Sequence, residues 1–346
     1  MFDEMGDKID AVTISTPDHN HAVIGVAAMK MGKHTFCQKP LTHTIYEARV
    51  MGEVAREKGV QTMMGNQGTA LDSLRKASAV VKSGVLGKIK EVHVWTNRPV
   101  WPQGIDRPTE VSGIPNHIHW YEWLGPAPDR PYHEAYHPFK WRGFWDFGTG
   151  ALGDMACHTL NMPYDALRLA DPTSVSAVTS GHNKETYPGW SIITFEFPGN
   201  DARGPVGLTW YDGGKKPDES LIQGKEMVTS GALIIGENGT LYSKGDYADD
   251  YELLGGLEEP KVEFEKSPGH FEEWVRAIKT GQPATSNFPD YAGPLTETIL
   301  LGNLAVWDAA DGESRKIEWD AKNLKVKNTD ELDNIVKKEF RAGYSL

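Results

Sequence analysis

The chain has 346 residues, which is long for one domain and sufficient for two. Hydrophobic residues make up 39% and charged residues 24%, which is ordinary for a globular protein and allows a sizeable core. The net charge of -12 argues against nucleic acid and anionic membranes as partners, because both are negatively charged.

The first part of the chain alternates short strands with helices. Residues 10–17 form an apolar, β-branched run that ends in a turn signal, as a strand does. Asp18 is placed to cap a helix whose predicted buried face comprises Val23, Ile24, Ala27 and Met31. The alternation continues with a strand at 34–37, a helix opened by a capping box at 44–47 and ended by Gly59, and a strand at 60–65. Such alternation indicates βαβ units and a parallel sheet.

Beyond a helix near residues 70–82 the pattern changes. Residues 98–147 are rich in Pro, Trp and His without clear periodicity, and so aromatic a segment favours substrate-site loops over disorder. After a helix at 150–169, strand runs without intervening helices predict an open antiparallel sheet, with a hairpin at Asn238 and Gly239. The strand runs lie at 90–97, 174–179, 190–197, 206–211, 232–236 and 240–243, and two late helices lie at 269–280 and 291–310.

Three short segments carry residues suited to chemistry. Residues 15–21 follow the first strand, at the end where open parallel sheets bind ligands. Lys39 follows the second strand, between Gln38 and Pro40. Asp154 and His158 are four residues apart on one predicted helix, so they share a face and we expect them to touch.

Together these residues could oxidise a secondary alcohol, a reaction that removes a proton from oxygen as hydride leaves carbon. His158 could take the proton, Asp154 could orient the imidazole or bind a substrate hydroxyl, and Lys39 could stabilise the oxygen or relay the proton. Each residue also has a structural alternative: a solvated lysine, a helix-surface pair of small energetic value, or, for His19 and His21, a role in capping a helix.

The order and spacing of these segments resemble the Gfo/Idh/MocA oxidoreductases, a family named for glucose–fructose oxidoreductase, inositol dehydrogenase and a rhizopine-catabolism protein. The resemblance covers nearly the whole chain and extends to a bacterial branch rich in sugar-processing members. It rests on residues 15–21, 37–44, 65–68, 123–128 and 145–158.

The resemblance implies an α/β plus α+β fold in two parts. Residues 1–68 would be the remnant of a dinucleotide-binding Rossmann domain with a parallel sheet, its first βαβ unit absent. Residues 69–346 would form a substrate and oligomerisation domain with an open antiparallel sheet, whose late helix packs back on the Rossmann part.

The resemblance also implies a site. Its catalytic residues would be Lys39, Asp154 and His158. Contacts to the nicotinamide half of NAD or NADP, with NAD favoured, would come from Ser15, Thr16, Pro17, His21, Gln38, Lys39, Pro40, Asn66, Gln67, Trp141 and Arg142. Flat indole faces suit sugar rings, so the aromatic segment supplies candidates for substrate contact. These candidates are Trp101, His117, His119, Trp120 and Trp145.

Two features depart from the family. Gln38 stands where many members have Glu. The Gln side chain keeps the shape of Glu and one acceptor oxygen but lacks the negative charge. No Gly-x-Gly-x-x-Gly occurs before Asp10, so the phosphate-binding loop, the first helix and the acidic ribose reader are expected to be absent. We expect either a misassigned start site, which an in-frame glycine loop upstream of Met1 would indicate, or a real short form that has lost cofactor binding. In both cases one flank of the parallel sheet should be exposed.

The leading hypothesis is an NAD(P)-dependent dehydrogenase acting on a sugar, polyol or glycoside. The alternatives are a redox-neutral, NAD-dependent glycosidase and a non-catalytic ligand-binding or oligomerising protein. A metal hydrolase would need ligands such as His117, His119, His137 and His158, whose spacing is not typical of a metal site, so no metal is expected.

Partners and location complete the expectations. We expect a carbohydrate-like small molecule as substrate and a homo-oligomer formed through the antiparallel sheet. No run of 18 apolar residues occurs, so the sequence predicts no membrane span. The acidic first residues do not form a secretion signal, and two cysteines, Cys37 and Cys157, give no disulfide framework. Both features predict a cytoplasmic protein, or an exported one if a signal precedes Met1.

Overall fold

The computed structural model describes residues 2–346, which form two β-sheets with helices around them. The α-helices are α1 (Phe2–Met5), α2 (His21–Lys30), α3 (Ile45–Lys58), α4 (Asp72–Lys82), α5 (Trp120–Leu124), α6 (Gly150–Thr159), α7 (Asn161–Leu167), α8 (His270–Thr280), α9 (Gly293–Asp308) and α10 (Asp333–Val336). The strands are β1 (Ala11–Ile14), β2 (His34–Cys37), β3 (Thr62–Met64), β4 (Ile89–Trp95), β5 (Ser174–Thr179), β6 (Ser191–Phe197), β7 (Val206–Tyr211), β8 (Gly231–Gly236), β9 (Thr240–Lys244), β10 (Asp250–Leu254), β11 (Ile317–Asp320) and β12 (Lys325–Val326).

The first sheet is the parallel sheet that the βαβ pattern predicts. Its strand order is β1-β2-β3, and both pairings are parallel. Helix α3 opens with the predicted capping box, in which Thr44 and Glu47 bond reciprocally, and ends at Gly59 in the left-handed conformation with φ 63°. On one face of the sheet, Phe36 packs with Trp274 of α8. This architecture brings the carboxyl ends of three strands to one edge.

The prediction for α2 was wrong in two respects. Asp18 does not cap the helix; it begins a 3-10 turn (Asp18–Asn20) and its carboxylate accepts a hydrogen bond from Thr149 instead. The predicted buried face points outward, with Ile24 37% and Met31 46% exposed. The buried residues are His21, Ala22, Gly25, Val26, Ala28 and Met29. Because the helix is apolar on nearly every side, periodicity alone does not select the face that packs.

One flank of the parallel sheet is exposed, as expected. Within the described residues β1 pairs with β2 alone, and Thr13 is exposed. Apolar side chains on both neighbouring helices are also open to solvent, among them Met31 of α2 and Phe271 and Val275 of α8.

The second sheet has nine strands in the order β10-β9-β8-β4-β7-β6-β5-β11-β12. It is antiparallel as predicted, except that β4 and β7 are parallel neighbours. The hairpin at Asn238 and Gly239 joins β8 and β9 as predicted. Strands β10, β11 and β12 were not predicted. The helix predicted at 150–169 is divided at Leu160 into α6 and α7. Helix α9 contacts both β5 and α3, so it joins the two sheets.

The segment from 98 to 147 is irregular apart from α5 and a 3-10 turn at Lys140–Gly143. Much of its apolar surface is buried in one group, here called the aromatic cluster: Trp120, Leu124, Ala127, Tyr132, Tyr136, Trp141, Phe144 and Phe147. No helix among residues 2–346 has the length and apolarity needed to cross a membrane.

Candidate active site

A cleft of about 500 Å³ lies where the carboxyl ends of β1 and β2 face the aromatic segment. Parallel strands direct their following loops to this edge, so ligand-binding residues are expected here. The cleft is lined by Ser15, Thr16, Pro17, Asp18, Gln38, Lys39, Trp123, His137, Pro138, Trp141 and Arg142. A larger cavity of about 690 Å³ lies under the C-terminal segment and contains none of the predicted catalytic residues.

Lys39, which lines the cleft, contacts Asp154 of α6, although the two residues are far apart in sequence and Asp154 is not itself in the cleft wall. The Lys39 ammonium donates to Asp154 Oδ1 at 2.7 Å and to the Asp154 carbonyl oxygen at 2.8 Å. Arg142 Nε donates to the same Oδ1 at 3.3 Å. No described group bonds to Asp154 Oδ2, so that oxygen is available to a ligand hydroxyl. Two cations thus share one carboxylate oxygen and leave the other free.

The electrostatics of Asp154 follow from these contacts. Burial opposes ionisation of the carboxyl, but the charge and hydrogen bond of Lys39, with Arg142, outweigh it, and the pKa of Asp154 lies below its usual value. The carboxylate is therefore ionised at neutral pH. It holds the Lys39 ammonium at the rim of the cleft, where the Lys39 side chain is 17% exposed.

The expected contact between Asp154 and His158 is not a hydrogen bond. The Asp154 carboxylate turns to Lys39 and Arg142, and His158 lies one helical turn away with its ring edge-on to Tyr247, centroids 4.7 Å apart. His158 is buried, and its Nδ1 has no partner among the described residues. Burial, with Lys39 adding to it, lowers the pKa of His158 to about 3. The ring is neutral at pH 7, but it is a weaker base than the sequence argument assumed.

Asp18 is a cleft residue that the sequence argument assigned only to capping. Its carboxylate accepts a hydrogen bond from Thr149 Oγ1 at 2.7 Å and is 4% exposed. Burial raises the pKa of Asp18, and the charges of His21 and Arg142 oppose that rise only in part. The position after Pro17, at a strand end, was the available signal.

His21 joins the loops after β1 and β2. Its Nδ1 lies 2.8 Å from the Pro40 carbonyl oxygen and its Nε2 lies 2.8 Å from the Thr16 carbonyl oxygen. His21 is 1% exposed and is not part of the cleft wall. The ring therefore fixes the two loops that present Thr16 and Lys39, while Pro40 is itself buried.

The loops after β2 and β3 pack closely at Gln38. A Cβ at Gly65 would lie 2.5 Å from Gln38 Oε1, so only glycine leaves room for this side chain. Asn66 is buried and accepts from Ser286 at 2.6 Å, whereas Gln67 is exposed.

The described residues fit the nicotinamide half of a dinucleotide. Thr16 Oγ1, Asn66 Nδ2 and His158 Nδ1 are buried polar atoms without partners among the described residues, and of these three residues Thr16 lines the cleft, next to where a polar ligand group would lie. Thr16 and Asn66 follow β1 and β3, at the edge of the sheet where such cofactors bind.

The structure does not bring the predicted substrate residues to the cleft. Trp101, Trp120 and Trp145 are 5%, 2% and 4% exposed, and the ring of Trp145 stacks on Tyr187 at 3.6 Å. Their indole N–H groups donate within the protein, that of Trp120 to the Arg130 carbonyl at 2.8 Å. His117 and His119 are exposed and lie outside the cleft wall. The three Trp rings pack in the core because a large aromatic side chain gains most by full burial.

Other members of the same segment reach the cleft instead. Trp123, His137 and Pro138 join Trp141 and Arg142 in its wall. Aromatic composition did not distinguish the rings that line the cleft from those that pack in the core. Among residues 2–346, no three His, Cys, Asp or Glu side chains are grouped as ligands for a metal ion.

Two family models match the chain and define its class. Residues 1–66 match one described as "Oxidoreductase family, NAD-binding Rossmann fold", and residues 68–346 match one described as "Oxidoreductase family, C-terminal alpha/beta domain". The chain is thus an oxidoreductase-family protein with an NAD-binding Rossmann region. It belongs to the Gfo/Idh/MocA family, as the motifs predict.

Curated relatives include sugar-acting enzymes. Levoglucosan dehydrogenase of Pseudarthrobacter phenanthrenivorans is 28% identical over 155 residues, 44% of this chain and 32% of that protein. The 2,7-anhydro-N-acetylneuraminate hydratase of Escherichia coli is 30% identical over 118 residues, 32% of this chain and 31% of that protein. The matched segments therefore span about a third of the length of these relatives.

A solved structure supports the fold. The WlbA dehydrogenase from Bordetella pertussis, solved with NADH and UDP-GlcNAcA, aligns with a TM-score of 0.59 at 17% identity. The alignment covers 92% of this chain and 83% of that one. The arrangement of a small parallel sheet beside a large mixed sheet is thus the family's fold.

Proposed function

We propose that the chain is an NAD(P)-dependent dehydrogenase, with NAD as the preferred cofactor, that transfers a hydride between nicotinamide and a secondary alcohol of a sugar, polyol or glycoside. The observation that carries this proposal is the Lys39–Asp154 pair, in which Lys39 lines the cleft at the carboxyl ends of parallel strands and the Asp154 carboxylate that it contacts keeps one oxygen without a partner among the described residues. Both groups are suited to a hydroxyl whose oxygen becomes negative as hydride leaves.

Each residue has a part in this proposal. The Asp154 Oδ2 atom accepts a hydrogen bond from a substrate hydroxyl, while the Lys39 ammonium stabilises the oxygen as its proton departs. The proton passes to His158, whose ring is neutral at pH 7 but, with its pKa lowered to about 3, is a weak base in the free protein. When bound, the nicotinamide ring accepts or returns the hydride.

The cofactor would be held from the first sheet and from the facing aromatic segment. Ser15, Thr16, Pro17, Gln38, Asn66 and Gln67 would contact its nicotinamide half, with His21 and Pro40 fixing the loops and with Trp141 and Arg142 opposite. The match of residues 1–66 to an NAD-binding Rossmann fold supports this placement. The names of the dehydrogenase relatives support a carbohydrate as the second substrate.

NADH formation with a carbohydrate panel tests the proposal. We expect turnover with at least one sugar or polyol, and we expect Lys39→Met to lower kcat about 100-fold or more, since the variant removes the charge next to the reacting oxygen. Lys30→Met, on the exposed end of α2, is the matched control. Unchanged activity in Lys39→Met would contradict the role of Lys39, and a chain that neither binds NAD nor forms NADH would favour a ligand-binding protein.

A redox-neutral reaction is the second candidate. One relative is named a hydratase, so net oxidation is not a necessary outcome among proteins similar to this chain. Release of an aglycone from a glycoside without accumulation of NADH would favour this candidate. Loss of that release in Lys39→Met would show that the same site is responsible.

The nine-stranded sheet is our proposed oligomer interface. Val178 of β5 is 44% exposed and pairs with half-buried Ile192 of β6, so apolar side chains line part of its outer face. Light scattering should show an oligomer that Val178→Asp dissociates. A monomeric wild-type chain would contradict this proposal.

A further inference from the structure

The guanidinium of Arg142 is held at one end and open at the other. Its Nε donates to Asp154 Oδ1 at 3.3 Å, and its plane lies over the ring of Trp141, 4.3 Å from the centroid, with Phe139 at 5.1 Å. In the described part of the chain, Nη1 and Nη2 have no hydrogen-bonding partner. The side chain is 27% exposed and lines the cleft. The fork is therefore oriented by its protein contacts, while its two terminal nitrogens remain available.

Two cationic side chains line the cleft. Lys39 and Arg142 face it with one ionised carboxylate, that of Asp154, between them. The nearby histidines do not add charge, since burial lowers the pKa of His158 to about 3 and also lowers that of His137. Burial raises the pKa of Asp18, which weakens the only other negative charge in the wall.

We propose that Arg142 binds a carboxylate group of the substrate, and that the substrate is therefore an acidic sugar such as a uronic or aldonic acid. This inference rests on the proposed function and names its substrate class. A guanidinium fork matches the two oxygens of a carboxylate, and pairing through two parallel N–H···O bonds orients as well as attracts the ligand.

The geometry also gives Arg142 a positioning effect. Arg142 and Lys39 bond to the same oxygen of Asp154, so a carboxylate on Arg142 lies near the hydroxyl-binding groups. A hydroxyl of the same sugar could then reach Asp154 Oδ2 and the Lys39 ammonium. Arg142 would thereby select both the class of sugar and the hydroxyl that reacts.

Binding measurements test this without turnover. D-glucuronate, D-galacturonate and D-gluconate are titrated beside their neutral counterparts D-glucose, D-galactose and D-glucitol, in the presence of saturating NAD and at low ionic strength. We expect at least one acid to bind about 10- to 100-fold more tightly than its counterpart, the range of a charge-assisted hydrogen-bonded pair. We expect Arg142→Gln to remove that preference, so that the acids and their neutral counterparts bind with similar affinity.

Two further variants separate the two-pronged geometry of the Arg142 guanidinium from its charge. Arg142→Lys keeps the charge but loses the two-pronged geometry, so it should retain only part of the preference. Lys140→Gln removes an exposed cation from the same 3-10 turn, outside the cleft wall, and should behave as wild type. Far-ultraviolet circular dichroism and melting curves confirm that each variant is folded.

Several outcomes would overturn the inference. Acids that bind no more tightly than neutral sugars, or no sugar binding at all, would remove its basis. A loss of NAD affinity in Arg142→Gln with acid binding unchanged would assign Arg142 to the cofactor, and a preference for glucose 6-phosphate would assign it to a phosphate. Failure of the proposed function is distinguishable, because acid-selective binding without NADH formation would leave this inference standing alone.

Discussion

Two arginines in one aromatic segment show how the molecule separates structure from function. Arg130 is 3% exposed in its side chain, pairs with Asp146 and Glu185, and lies over the rings of Tyr136 and Phe147. Arg142 is 27% exposed and bonds to Asp154 through Nε alone. Both side chains stack on aromatic rings, but only Arg142 has terminal nitrogens that face a cleft.

The difference indicates what the aromatic segment does. Around Arg130, two carboxylates and two aromatic rings enclose the guanidinium, whose buried Nε has no hydrogen-bonding partner among the described residues, and we infer that this region acts as a support. Near Arg142, residues of the aromatic segment form the cleft wall opposite the ends of β1 and β2. We therefore expect variants of the support to lower stability, and variants of the wall to change ligand binding with little effect on stability.

The largest expected effect is that of Trp120→Ala in the aromatic cluster. Trp120 is 2% exposed, stacks on Trp123 at 4.9 Å and donates to the Arg130 carbonyl. Its removal leaves a cavity and an unpaired carbonyl, so the free energy of unfolding should fall by about 4 kcal/mol. Urea denaturation measures this. Tyr121→Ala, a 64% exposed neighbour on the same helix, is the control, and a similar loss in both variants would contradict the comparison.

Arg130→Gln should destabilise the chain by about 3 kcal/mol, because it leaves Asp146 and Glu185 without their buried cation. Arg107 also pairs with Glu185, at 2.6 Å, but it is 56% exposed. Arg107→Gln should therefore cost less than about 1 kcal/mol. Equal losses in the two variants, measured by urea denaturation, would show that burial of Arg130 is not what matters.

Much of the fold could be predicted because local signals specify it. The capping box at Thr44 and Glu47, the turn at Asn238 and Gly239, and the β-branched runs each act over a few residues. The parallel contact of β4 with β7 could not be predicted, since it joins strands that are distant in sequence. The buried face of α2 could not be predicted either, because its apolar residues surround the helix.

The site likewise contains residues whose placement could be predicted from the sequence and residues whose placement could not. Lys39 and Asp154 were expected together on the basis of family motifs, and the structure places the Lys39 ammonium on Asp154. The assignment of Trp101, Trp120 and Trp145 to substrate contact used composition alone, which does not report whether a ring face is covered. Arg142 was predicted to contact the cofactor, and only the structure shows that its two terminal nitrogens have no partner among the described residues.

A third prediction concerns pH and the buried end of the cleft. His158 has an ordinary pKa of 6.5 when unfolded and about 3 when folded, so the folded state favours its neutral form. The stability it contributes is complete above pH 6.5 and is lost as the pH falls towards 3. Between pH 6.5 and 5 that loss is about 2 kcal/mol. Urea denaturation of His158→Gln should show a fall smaller by this amount, whereas His117→Gln, which removes an exposed ring, should retain the wild-type fall.

The smallest expected change is also the sharpest test of the comparison. Arg142→Gln should alter the free energy of unfolding by less than about 1 kcal/mol, because a partly exposed pair contributes little and Lys39 remains on Asp154. If the loss of unfolding free energy approached that of Arg130→Gln, Arg142 would be a structural residue like Arg130. Its unpaired terminal nitrogens would then not indicate a ligand site. A small loss of stability together with a changed preference for acidic sugars would show that the two arginines, although both lie in the aromatic segment, differ in what they bind. Urea denaturation and sugar titration on the same protein preparation give both readings.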